Sequence, residues 1–164
     1  MTPLNFRAQQ AWGDLLLHWW QGLEDDRGGR AALRRAPDIT AVVLLPAFQR
    51  LHRRLVAAGW PDTAWRNDRL AAAAGLLAHV RLHTALALPA AMSQGDKPCV
   101  SPLRFTRLLE SPDIDTLFAG LRRALPLLQH QADVLALATD VVNWDDSVKK
   151  RWAYAYDWPA ASGG

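Results

Sequence analysis

The sequence predicts an all-α protein of about seven helices, gathered into an N-terminal and a C-terminal helical bundle. Apolar residues recur at three- and four-residue spacing along most of the chain, the pattern of helices with one buried face. Proline, glycine and short polar residues punctuate that pattern where helices would start and stop. No pair of strands stands out; the partly β-branched run Ala41–Leu45 sits inside a helical period. Half of the 164 residues are hydrophobic, enough to bury a core in one domain or two small helical ones.

Taken in order, Leu4 to Leu23 reads as a first helix, with Phe6, Trp12, Leu15, Leu16, Trp19 and Leu23 on one stripe. Glu24, Asp25, Asp26 and then Gly28-Gly29 separate it from a basic segment, residues 27–37, which Pro37 stops. Asp38 caps a helix from about Ile39 to Ala58, in which Pro46 marks either a kink or the true start. After the turn Gly59-Trp60-Pro61, with Asp62 as cap, a long Ala- and Leu-rich helix runs from about Thr63 to Leu88 and ends at Pro89. Ser101-Pro102 reads as cap and first residue of a helix through Leu109. Ser111-Pro112 repeats that signature and opens a helix from Asp113 to about Leu128. Ala132 to Asn143 is another, and Asp145 or Asp146 caps a last one through Tyr156. The expected organisation is an N-terminal bundle at 1–92, a linker loop at 93–100, a C-terminal bundle at 101–158 and a disordered tail at 159–164.

Chemistry is sparse. His79 and His83 lie i, i+4 on one expected helix, a spacing able to place two imidazoles on one metal, but no third ligand stands out. They read as helix-surface histidines, and neither a metal nor another cofactor is expected. The serines lack a nucleophile-elbow context, and most aspartates fall at helix starts, where capping explains them. Cys99 is the single cysteine, which excludes an intrachain disulfide. Met1–Ala11 has no signal-type apolar region, so a soluble cytoplasmic protein is expected. Most of the eight tryptophans fall at apolar helix positions and read as packing residues; Trp20 and Trp158 are the candidates for contact residues.

What remains is arginine. Net charge is +3, and sixteen of the 19 basic residues are arginine. Arg27, Arg30 and Arg34 follow i, i+3, i+7 spacing and share a helix face, which Arg35 flanks. A planar guanidinium matches phosphate oxygens in pairs, so such a face suits a polyanion. The plainer reading is a solvated face neutralised by Glu24–Asp26. Further sets are Arg50/Arg53/Arg54, Arg104/Arg107, Arg122/Arg123 and Lys149/Lys150/Arg151. If the helices align them, a continuous cationic track results, which binds phosphate backbone without reading bases. A helical adaptor whose basic faces meet acidic protein surfaces is the alternative, and a small helical hydrolase or metal enzyme a weaker one.

Several of these segments together resemble the CasB family, the small subunit of the type I-E CRISPR surveillance complex Cascade. The resemblance rests on Arg30-Ala-Ala-Leu-Arg34-Arg35-Ala, Leu45-Pro-Ala-Phe48, Ser101-Pro-Leu-Arg104-Phe105 with Arg107-Leu-Leu, and Leu121-Arg122-Arg123-Ala-Leu125. Asn143-Trp144-Asp145 and Arg151-Trp152-Ala-Tyr154 complete it. The resemblance implies two helical bundles and no catalytic activity. It implies two copies per complex, set against the backbone and large subunits. It also implies contacts to guide RNA, the target strand and the displaced DNA strand of the R-loop. The arginines matching the family's basic motifs are Arg30, Arg34, Arg35, Arg104 and Arg122; spacing alone adds Arg27, Arg53, Arg107 and Arg123 to the nucleic-acid-binding set.

Overall fold

The computed structural model describes residues 4–161. The fold is all-α, as the periodicity predicts. Ten α-helices stand among the described residues, because two of the long periodic stretches break into shorter pieces. Their order is α1 (Ala11–Gly22), α2 (Arg27–Arg35), α3 (Ile39–Val43), α4 (Pro46–Ala57), α5 (Ala64–Leu77), α6 (Leu88–Ser93), α7 (Pro102–Leu109), α8 (Ile114–Ala124), α9 (Val134–Val142) and α10 (Asp146–Ala155). Cap chemistry sets most starts. Carboxylates of Asp38, Asp113, Asp133 and Asp145 accept from the backbone N–H three residues on, at 2.7–3.1 Å, and Ser101 does the same for α7. Asp62 is not a cap: Thr63 caps α5, while Asp62 accepts from Asn67 at 2.7 Å and meets His52 at 3.2 Å. Pro46 is the true start of α4, filling a first-turn position that needs no N–H.

α5 is the centre. Every residue from Leu70 to Val80 is buried, and the helix packs most extensively against α9, then α3 and α8. A helix buried all round needs small residues where neighbours press closest. Ala71–Ala74 meet that need, and at Gly75 a Cβ would lie 2.9 Å from both Phe118 of α8 and Val42 of α3. One cluster of buried side chains extends from Leu4 to Tyr156. Its aromatic corner joins α7 to α10: the Phe105 ring stacks on Tyr156 at 4.2 Å and lies parallel to Trp152 at 6.4 Å.

Three expectations need correction. The first helix starts at Ala11, not Leu4. Residues 4–7 are not helical and are pinned to α9 and its C-terminal end: Leu4 N donates to Asn143 Oδ1 and Phe6 N to Thr139 Oγ1, both at 3.0 Å. Phe6 then stacks on Trp60 at 5.6 Å, so the apolar stripe is real but not helical there. The long helix ends at Leu77, eleven residues early. The chain turns and forms β1 (Leu82–His83), parallel to β2 (Gln131–Ala132), with Leu82 opposite Gln131 and His83 opposite Ala132. That pair, the only β-structure among the described residues, corrects the expectation of none. A turn with Gln129 and His130 at positive φ delivers β2, following a short 3₁₀ turn at Leu125–Leu128. The segment 94–101 is irregular but anchored: Val100 N donates to Met92 O at 3.1 Å, and the Tyr156 hydroxyl to Val100 O at 2.6 Å. Residues 159–161 carry no regular structure; the rest of the expected tail lies outside the described residues.

Candidate nucleic-acid interface

α2 forms where the arginine spacing predicts it. Asp26 caps it through Gly29 N at 3.0 Å, and fully buried Leu33 anchors it to the core. The acids just upstream neutralise part of the local charge: Glu24 pairs with Arg30 at 3.5 Å, and Asp26 with Arg50 at 3.3 Å. Arg27, Arg34 and Arg35 form no ion pair among the described residues.

Arg30 points inward. Its Nε donates to Ala78 O at 3.2 Å and its Nη2 to Val80 O at 3.0 Å, where α5 ends. Those carbonyls have no helical partner, so the guanidinium satisfies them and places a cation at the negative end of the helix. Burial, then the neighbouring Arg81, holds the Arg30 guanidinium below its ordinary pKa. Arg122 plays the same part on α2: from α8 its Nη2 donates to Arg34 O at 2.8 Å. The ends of α2, α5 and α8 thus meet in one junction carrying Arg30, Arg34, Arg81 and Arg122. His79 is 9% exposed inside it, and its Nε2 is buried without a partner. Burial, followed by the fields of Arg122, Arg34, His130 and Arg30, pushes its pKa down to about 4. It is neutral at pH 7.

A second group lies where α8 meets α7. Arg104 and Arg107 from α7 and Arg123 from α8 line one cleft of about 400 Å³, together with Leu108 and Leu127. None of the three forms an ion pair among the described residues. Arg122 and Arg123 are chain neighbours, so the last turn of α8 joins junction and cleft. Arg27 begins α2, about 10 Å along the helix from Arg34 at 1.5 Å per residue. Arg53 sits exposed on α4, in neither group.

Sequence reasoning missed Arg81 and the burial of His79, because it ran the long helix through them. His79 and His83 do not share a helix: the His83 Nδ1 accepts from Val134 N at 3.1 Å, at the start of α9. Among the described residues no three His, Cys, Asp or Glu side chains gather closely enough for a metal. Trp20 is a packing residue, its N–H donating to Val80 O at 3.0 Å. Trp158 is 44% exposed with its N–H committed to Ala153 O, whereas Trp65, not singled out by sequence, is 53% exposed and carries Arg69 at 4.0 Å over its ring.

Arg30 and Arg35 should separate cleanly by substitution. Arg30→Met removes two charge-assisted bonds, one to Ala78 O and one to Val80 O, which keeps its bond from Trp20; it should cost about 2 kcal/mol in urea unfolding, while Arg35→Met should change stability by under about 0.5 kcal/mol. Equal, small effects would reject the capping role of Arg30.

A sequence-family model described as CRISPR-associated protein Cse2 matches residues 29–156. The chain belongs to the Cse2 family. The small-subunit resemblance read from the motifs is thereby borne out, and the match spans all of them, beginning two residues after Arg27. No curated protein matches this Cse2-family chain. Among solved structures, a chain of E. coli Cascade bound to a PAM-containing double-stranded DNA target shares its fold. The TM-score is 0.66 at 21% sequence identity, covering 88% of this chain and 92% of that one. No described helix of this Cse2-family protein is long and apolar enough to cross a membrane.

Proposed function

We propose that this Cse2-family protein is a non-catalytic small subunit of a type I-E CRISPR surveillance complex. Its arginine groups hold guide RNA, the target strand and the displaced DNA strand through phosphates, beside the backbone and large subunits and a second copy of itself. The observation that carries this reading is the meeting of two arginine groups across the last turn of α8. Arg34, Arg104, Arg107 and Arg123 there form no ion pair among the described residues, nor does exposed Arg35 at the end of α2. Unneutralised arginines are costly in self-repulsion unless an anion joins them. Exchange of a DNA duplex for an RNA–DNA hybrid is nearly balanced in energy, so backbone contacts to the displaced strand suffice to tip it.

The test is salt. Binding to single-stranded DNA should weaken with a log–log slope of about −0.7 for each phosphate engaged, giving about −3 for four contacts. It should not depend on sequence. No affinity for any nucleic acid at low salt would assign the basic faces to acidic protein surfaces instead.

A further inference from the structure

Backbone contacts need only a ridge of cations. The cleft between α7 and α8 is more than a ridge. Its walls mix the three arginines with apolar Val100, Leu108, Ala124 and Leu127, and its polar lining includes Ser111, itself 3% exposed. At about 400 Å³ it falls in the size range of small-ligand pockets. Gly120 lines it too: a Cβ there would come within 2.6 Å of Leu108 Cδ2, so only glycine lets the Leu108 side chain pack against α8 as part of the apolar wall.

Building on the strand-binding reading above, we infer that this cleft takes one unpaired nucleotide of the bound strand, its base against the apolar wall and its phosphates on Arg104, Arg107 and Arg123. Three cations and no paired carboxylate demand an anion, and the apolar wall demands a group with a face to bury. A nucleotide unit offers both at the required size. Guanidinium planes also stack on bases while their N–H groups reach phosphate, so no aromatic side chain is needed. Such a pocket holds any base with a suitable face and adds grip without adding sequence specificity.

The discriminating pair of ligands is a thymidine oligonucleotide and an abasic strand of equal length, which keeps every phosphate and lacks every base. The protein should bind the base-bearing strand about tenfold tighter, as one held base contributes on the order of 1.4 kcal/mol. Leu127→Glu puts a carboxylate into the cleft at a side chain 40% exposed, and should bring that ratio to about one. Arg34→Glu with Arg35→Glu should weaken both strands and leave the ratio intact. A matching melting temperature shows that Leu127→Glu is folded; if it is not, Arg104→Gln with Arg107→Gln, both exposed, must abolish the ratio instead. Equal affinities in the unaltered protein, or a ratio that survives the folded cleft variant, would overturn the pocket while leaving the backbone track standing. Failure of both strands to bind would overturn both readings and give the cleft to an acidic protein partner.

Discussion

Arg34→Glu combined with Arg35→Glu should lower the affinity for single-stranded DNA by about 100-fold, because each reversal removes an attraction and adds a repulsion of order 1 kcal/mol or more at contact distance. Two lost phosphate contacts should also flatten the log–log salt slope by about 1.4. The fold should survive. Arg35 is exposed, and what Arg34 gives the structure is its main-chain oxygen, which Arg122 binds at 2.8 Å whatever side chain stands there. Circular dichroism beside a gel-shift titration decides the matter. Unchanged affinity and slope in a folded variant would remove α2 from the interface.

The second large effect lies in pH. His79 is held neutral in the folded protein, with a pKa near 4 against an ordinary value of 6.5. Well above pH 6.5 neither folded nor unfolded chain binds a proton at this residue, and its titration contributes nothing. As pH falls from 6.5 to 4 the unfolded chain takes up a proton that the folded chain refuses, so stability drops by up to about 3 kcal/mol. Below pH 4 the loss levels off. After burial itself, the charges of Arg122 from α8 and Arg34 and Arg30 from α2 resist its charging, and His130, from the turn before β2, acts in the same direction. His79→Leu removes both the titration and an unpartnered buried nitrogen. Its stability should therefore lose much less between pH 6.5 and 4.5 than the unaltered protein's, measured by urea unfolding. Parallel pH profiles for the two would show that His79 is not the titrating group.

The parts of the fold that sequence discloses are those with local causes. Asp38, Ser101 and Asp145 cap helices because a short polar side chain meets the N–H three residues on, and Pro46 starts α4 because its missing N–H is not needed in a first turn. What sequence conceals has partners far along the chain. α5 stops at Leu77 with no proline or glycine to stop it; Arg30, 48 and 50 positions away, takes the carbonyls beyond its end. Periodicity alone ran that helix to Pro89. The basic groups divide in the same way. The α2 face was readable from spacing, but not that Arg30 faces inward, that Arg122 joins Arg34, or that Arg123 turns to Arg104 and Arg107 across a cleft.

The pinning of residues 4–7 to α9 has a consequence for how the protein is made. Leu4 finds Asn143 139 positions later, and Phe6 finds Thr139 133 positions later. At about 5–20 residues per second, the ribosome leaves the front of the chain waiting roughly 7–28 s for the helix that receives it. Phe6 cannot close over Trp60 in its final setting during that interval, and central α5 still lacks α9, its principal neighbour. Nascent chains of this protein therefore leave the α9-facing side of α5 uncovered until α9 has been made, and residues 4–7 can attach only after that.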